Sequence, residues 1–292
     1  MKRKLSILIT AFAAALLAAS CNSSSAVLKE SPQMLGYKVW DISGVACGNS
    51  DFSGLVLMPG EKRMAAAFNS GGLYWMEIPQ DTDAQLSFTP LLAYGTQFTE
   101  GTRDFEAITV EPQSGDIYYA QERAQKGNAS HPGSSVYRLR APQYVQEDLI
   151  YTFGKEEFPV NNISLEGITC LRKGVLMVGR EGNATKGEKP LVYKLKVKAG
   201  SASIILKQDF SSVSKQIADL VYDPVRKCLW LTDSDMDKKL YRVSLDGVIL
   251  DEYDLSFIAN PEAICIDRTR GCIWIGSDEA PSKLYKISFR NL

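Results

Sequence analysis

The chain has 292 residues with 33 basic against 34 acidic side chains, 45% hydrophobic and 10% aromatic residues. That is ordinary globular composition with enough apolar material for a sizeable core, and the near-zero charge excludes the basic excess of a nucleic-acid binder. A single histidine, His131, excludes poly-histidine zinc sites and most histidine-based catalysis, and the absence of GxxxxGK[ST] and GxGxxG phosphate loops argues against nucleotide chemistry.

Residues 1–20 read as a secretory signal. Lys2, Arg3 and Lys4 form a positive start, Leu5 to Leu17 an apolar run of 13 residues, and Ala18-Ala19-Ser20 leads into Cys21. Small residues directly before a cysteine resemble the bacterial lipobox, with Leu17 one place early. That resemblance implies cleavage before Cys21 and acylation of it, so that the protein is held to a membrane by acyl chains rather than by a helix. Asn22 after Cys21 favours the outer membrane under proteobacterial sorting rules. Cleavage leaves 30 basic against 34 acidic groups. Residues 21–35 are assigned to a flexible tether and residues 36–292 to the folded domain. The lone histidine falls in a long polar insertion, 127–134, where a solvent-exposed role is expected of it.

Past the tether the chain repeats. Asp104-Phe105-Glu106-Ala107-Ile108, Ser164-Leu165-Glu166-Gly167-Ile168, Ala218-Asp219-Leu220-Val221 and Asn260-Pro261-Glu262-Ala263-Ile264 each open a short strand, and Phe52-Ser53-Gly54-Leu55-Val56 is a weaker copy. Each is followed by a turn, such as Asp223-Pro224-Val225-Arg226-Lys227, then a second strand ending in polar residues. A third strand alternates apolar and polar residues, as in Leu191-Val192-Tyr193-Lys194-Leu195, and a looser fourth follows. Four strands per repeat of about 50 residues predicts a β-propeller. Five repeats predict an all-β, five-bladed β-propeller with four-stranded blades. The last repeat stops after its third strand near Phe289, and Tyr37–Ile42 has no blade of its own, so this N-terminal strand is expected to complete blade five and close the ring.

The phrases around Glu106 and Glu166, with Gln121-Glu122-Arg123 after the second strand, resemble the SdiA-regulated family, a distant relative of NHL-repeat propellers. The resemblance implies a five-bladed propeller with bound calcium and no established activity. The chain departs from the pattern in blade one, where Ser53-Gly54 replaces the acidic residue, and in blade four, where Asp219 stands for Glu. The esterase-like phytases carry a similar acidic phrase, and the calcium-dependent lactonase propellers are more distant.

Glu106, Glu166, Asp219 and Glu262 are aligned on one repeat position and are expected to converge at one channel mouth. Close carboxylates need a cation, protons or arginines. Two arrangements satisfy this: a shared Ca²⁺, which suits an oxygen-only donor set, or a metal-free ring in which Arg103, Arg123 and Arg180 pair with the acids. A second layer, Glu122, Glu181, Asp233, Asp235, Asp278 and Glu279, ends the second strands on the same face, so a ligand face is assigned to it together with the three arginines. Of the five cysteines left after cleavage at least one is free. Cys265 and Cys272 flank a turn and are read either as a cross-hairpin disulfide or as small buried hydrophobes.

The function expected is that of a lipid-anchored envelope propeller that binds calcium and takes a small molecule or an envelope protein on its acidic face. A metal-dependent hydrolase of lactone or phosphate-ester type, with Glu106 or Glu166 as general base, is the alternative, and the reading leans away from an enzyme. A purely structural module of an envelope complex is the third possibility.

Overall fold

The structure, a computed structural model, describes residues 30–42, 52–69, 72–83, 85–91, 104–122, 134–154, 156–158, 163–234 and 237–292. Cys21, Cys47, Arg103, Arg123, His131 and Asp235 therefore lie outside the described residues, as does the signal segment.

Among the described residues, twenty strands form five four-stranded antiparallel sheets. Blade one holds β2 (Phe52–Leu57), β3 (Arg63–Phe68), β4 (Gly72–Glu77) and β5 (Phe88–Pro90). Blade two holds β6 (Phe105–Val110), β7 (Ile117–Gln121), β8 (Ser135–Leu139) and β9 (Glu147–Thr152). Blade three holds β10 (Leu165–Arg172), β11 (Val175–Arg180), β12 (Leu191–Lys198) and β13 (Ser201–Asp209). Blade four holds β14 (Ile217–Asp223), β15 (Cys228–Asp233), β16 (Lys239–Val243) and β17 (Ile249–Asp254). Blade five holds β18 (Pro261–Asp267), β19 (Cys272–Ser277), β20 (Lys283–Arg290) and, as its outermost strand, β1 (Gln33–Asp41). Helix among the described residues is confined to one 3-10 turn, Ala184–Lys186.

The first strands touch in a closed cycle, β2 to β6, β6 to β10, β10 to β14, β14 to β18 and β18 back to β2. The core is divided in the same way, into five apolar clusters that each fill the gap between neighbouring blades. The cluster between blades five and one contains Trp274, Trp40, Phe52 and Phe68. Ring closure by the N-terminal strand is as expected: β1 runs antiparallel to β20, from Gln33 opposite Arg290 to Asp41 opposite Lys283. β1 begins at Gln33, three residues before the expected domain start.

Small residues let the first strands crowd the axis. A Cβ on Gly54 would lie 2.9 Å from the Ile108 nitrogen, and one on Gly167 would lie 2.8 Å from the Leu220 nitrogen. Ala107 and Ala263 hold the same position in blades two and five. Hydroxyls stitch the next layer: Thr169 Oγ1 accepts the Tyr222 N–H at 2.8 Å, and Thr109 Oγ1 accepts the Cys170 N–H at 3.3 Å.

Cys265 and Cys272 are free and buried. The hairpin register sets Cys265 opposite Trp274 and Cys272 opposite Asp267, which separates the two thiols along the strands. Of the two readings of this pair, the disulfide is overturned and the buried small hydrophobes remain.

Candidate functional site at one mouth of the channel

Every first strand carries a β-bulge near its start. The register slips between Phe52 and Gly54, Phe105 and Ala107, Leu165 and Gly167, Ile217 and Asp219, and Pro261 and Ala263. A bulged residue is left out of the ladder and its side chain is re-aimed. The bulged residues are Ser53, Glu106, Glu166, Ala218 and Glu262. The residues just after the second strands form a second ring: Asn69, Glu122, Glu181, Ser234 and Asp278. Backbone bonds hold this ring against the incoming strands, with the N–H groups of Glu122, Glu181 and Asp278 donating to the carbonyls of Asp104, Ser164 and Asn260.

All members of the two rings except Ala218 and Ser234 line one cavity of about 340 Å³. Its wall includes Glu106, Glu166 and Glu262 from the first ring and Glu122, Glu181 and Asp278 from the second, with Ser53, Asn69, Ser164 and Gln216 between them. Blades two, three and five each supply two carboxyl groups, whereas blades one and four supply neutral residues at both positions. No lysine or arginine among the described residues lines the cavity.

Each buried acid is turned onto a neutral donor. Asn69 Nδ2 donates to Glu106 at 3.2 Å, and the Ser164 hydroxyl donates to Glu166. Glu181 accepts from the Ser164 N–H at 3.1 Å and from Gln216 Nε2 at 3.3 Å. Burial, followed by the fields of Glu122, Asp104, Glu262 and Glu181, pushes the Glu106 carboxyl well above the usual range. Burial and the neighbouring Glu106, Glu181 and Glu262 do the same to Glu166. Glu181 and Glu262 are each pushed up to about 7, chiefly by burial, which the hydrogen bond from Ser164 to Glu181 and that from Ser234 to Glu262 partly oppose. Near neutral pH the mouth therefore holds several carboxyls poised between charge and proton.

Asp219 does not join the ring. It sits one residue past the bulge, on the face turned to the next blade, where its two oxygens accept the N–H groups of Leu220 at 2.7 Å and Ile264 at 2.9 Å. The residue equivalent to the glutamates in blade four is Ala218. Arg180 is also elsewhere. It is 3% exposed and points along the flank of blade three, donating to the Glu157 and Lys189 carbonyls and pairing with Glu188 at 3.1 Å. That geometry removes Arg180 from an arginine-compensated ring. Asp233 accepts from Ser214 Oγ at 2.5 Å and from the Lys215 N–H at 3.3 Å, which fastens the segment entering blade four. Glu279 pairs with Lys283 at 3.0 Å and accepts from Ser277 and Tyr285 within its own blade.

Ser53, Asn69, Ser164 and Gln216 are cavity residues that the acidic pattern alone does not reveal. Their signal is positional: Asn69 follows a second strand as Glu122 does, and Ser164 and Gln216 stand two residues before a bulge.

A family model described as SdiA-regulated matches residues 196–291, which span blades four and five and the end of blade three. The family resemblance carried by the acidic phrases of blades two and three thus has separate support from the other end of the chain. A search of curated proteins finds no match. Among solved structures, the chain is similar to one in a nidogen/laminin complex, with 12% identity and a TM-score of 0.47 over 78% of this chain and 73% of that one. It is also similar to a structural-genomics protein of unknown function from Bacteroides thetaiotaomicron, with 13% identity and a TM-score of 0.49 over 87% of this chain and 76% of that one.

Proposed function

We propose that this protein is a lipid-anchored propeller of the bacterial cell envelope that binds Ca²⁺ in its acidic mouth and receives a small molecule or a partner protein there. The observation that carries the reading is the gathering of six carboxyl groups from three blades around one cavity, with no described basic residue in its wall. Such a set compensates itself by taking up protons or a cation.

The donor chemistry fits a hard cation. Among the described residues the wall offers carboxylate, amide and hydroxyl oxygens and no thiol or imidazole, a set that selects calcium over zinc. As they stand, no three acids among the described residues converge on one point. Glu106 and Glu166, both on first-strand bulges, would give up the Asn69 and Ser164 hydrogen bonds in favour of the ion, with Glu262 as the third charge. Bound calcium would supply a Lewis-acidic centre and a positive focus for an anionic or carbonyl-bearing ligand.

The test is a metal titration of stripped protein followed by melting. A ligand that binds the folded state alone stabilises it by about 2.7 kcal/mol at a hundredfold excess over Kd. Calcium is expected to raise the melting temperature more than magnesium, and Glu166→Gln to blunt that rise. A melting curve that calcium leaves unmoved refutes the cation reading. Activity screens against lactones and phosphate esters, with and without chelator, separate a binder from a hydrolase. The anchoring component has its own test, since Cys21→Ser is expected to release the protein from the membrane fraction.

A further inference from the structure

The chain enters the propeller on the face opposite the acidic mouth. Lys283 pairs with Ser277, next to the cavity residue Asp278, so β20 starts at the mouth and ends at Arg290 on the far face. Gln33 pairs with Arg290, which places the start of β1 on that far face too. The approach to β1 is clamped there. Arg226 donates to the Glu30 carbonyl at 3.0 Å, Asn291 Nδ2 to the Glu30 carboxylate at 2.8 Å, and the Tyr253 hydroxyl to the Pro32 carbonyl at 2.7 Å. From Cys21 to Glu30 the chain can span no more than about 30 Å even when fully extended.

This far face is basic where the tether leaves it. In blade three the turn between β10 and β11 presents Arg172 and Lys173, and the turn between β12 and β13 presents Lys198, all exposed. In blade four Lys227 and Val225 project from the first turn, and Val248, 60% exposed, projects from the third. Among the described residues none of these four basic side chains pairs with an acid. Asp223 and Asp267, on the same face, are buried and occupied by Arg268 and Arg270. The exposed acids there are Glu30, which Asn291 holds at 2.8 Å, Glu77, Asp81 and Asp83 in blade one, and Asp246 in an outer turn of blade four. The molecule is thus polar along its axis, with carboxyls at one end of the channel and unpaired cations with exposed valines at the other.

We propose that the face bearing Arg172, Lys173, Lys198, Val225, Lys227 and Val248 is a contact surface for a bilayer containing anionic phospholipid. The proposal rests on the lipid-anchoring reading of Cys21, and it adds which side meets the membrane. A short tether keeps these cations near the bilayer surface, and an acyl anchor combined with a basic patch is the two-signal arrangement that gives stable membrane residence. The acidic mouth then opens away from the lipid, where anionic headgroups do not repel it and ligand reaches it from the aqueous side.

The test measures depth at both ends of the axis. In a Cys47→Ser background, single labels are placed at Gln113→Cys on the basic face and at Asp237→Cys on the acidic face, both exposed positions. The mature chain is held on vesicles of phosphatidylcholine and phosphatidylglycerol carrying a headgroup spin label, either by its native lipid or, as Cys21→Ser, by an N-terminal hexahistidine on a nickel-chelating lipid. The expected result is quenching at 113 and none at 237, with at least half of it lost when Arg172, Lys173 and Lys227 are each changed to Glu or when phosphatidylglycerol is omitted. Equal quenching at both positions in the chelate-held protein overturns the proposal, and so does quenching that ignores both charge reversal and lipid charge. The acyl mass on Cys21 is read separately, so failure of the anchor and failure of the orientation are distinguishable.

Discussion

The Asp219 carboxylate of blade four accepts the backbone N–H of Ile264 in blade five at 2.9 Å. In blades one and three a glycine at this position lets the neighbouring strand approach directly, and alanines serve in blades two and five. Blade four instead bridges the gap with a buried side chain. Asp219→Ala would leave the Ile264 N–H without its acceptor, a loss of about 1–3 kcal/mol. The expected outcome is a melting temperature lower by several degrees with an unchanged response to calcium, and Asp219→Asn should be milder because it keeps one acceptor oxygen. Loss of the calcium response in Asp219→Ala would return this residue to the cation site.

The raised carboxyls of the mouth make stability depend on pH. Between the ordinary glutamate range and about 7, the range to which Glu181 and Glu262 are pushed, the folded state binds more protons than the unfolded state. Their contribution is complete below the unfolded pKa and is lost as pH rises through the folded one. Metal-free protein should therefore melt at a higher temperature near pH 5 than near pH 8, and the difference should shrink in Glu166→Gln/Glu262→Gln. A melting temperature that rises across this interval without metal would contradict the burial of these acids.

Gly167→Ala would set its Cβ 2.8 Å from the Leu220 nitrogen and 2.9 Å from Leu220 Cγ. Blades three and four must then part or shift. Overpacking of this kind costs about 1–3 kcal/mol, so denaturant melts should show a lower midpoint with little change in slope. A neutral result would mean that the blades slide freely at the axis.

Trp40 is the buried side chain of the closing strand. It lies 5.8 Å from Trp274, and its indole N–H donates to the Asp83 carbonyl at 3.1 Å. Trp40→Ala should cost about 3–5 kcal/mol and favour aggregation through an opened edge, which light scattering would follow. A variant that stays monomeric with an unchanged melting temperature would show that closure does not depend on this contact.

The fold could be read from the sequence because turn residues and period-two alternation recur in every repeat, and because the surplus N-terminal strand matches the missing strand of blade five. The site was harder to read. A bulge adds one residue to the first strand, so an alignment by residue type pairs Asp219 with Glu106, Glu166 and Glu262, while the backbone pairs Ala218 with them. Arg180 and Glu181 are adjacent, and neighbouring residues at a strand end point to opposite sides. Once Glu181 lines the mouth, Arg180 must take the flank. The neutral wall residues Asn69 and Gln216 carry no charge signature, and their place emerges from the ring geometry alone.

Because β1 pairs with β20, the first of the described strands finds its partner in the last. Blades one to four can assemble as the chain emerges, since each draws its four strands from consecutive sequence. Blade five waits for Lys283–Arg290, and until then Met34, Leu35, Tyr37 and Val39 travel on an unpaired strand. A chain cut short by the last ten residues would retain four whole sheets but only β18 and β19 of blade five, leaving the outer edge of that blade unpaired and open to other chains. If the proposed signal segment directs export of the unfolded chain, both ends are available when folding starts and this hazard is removed.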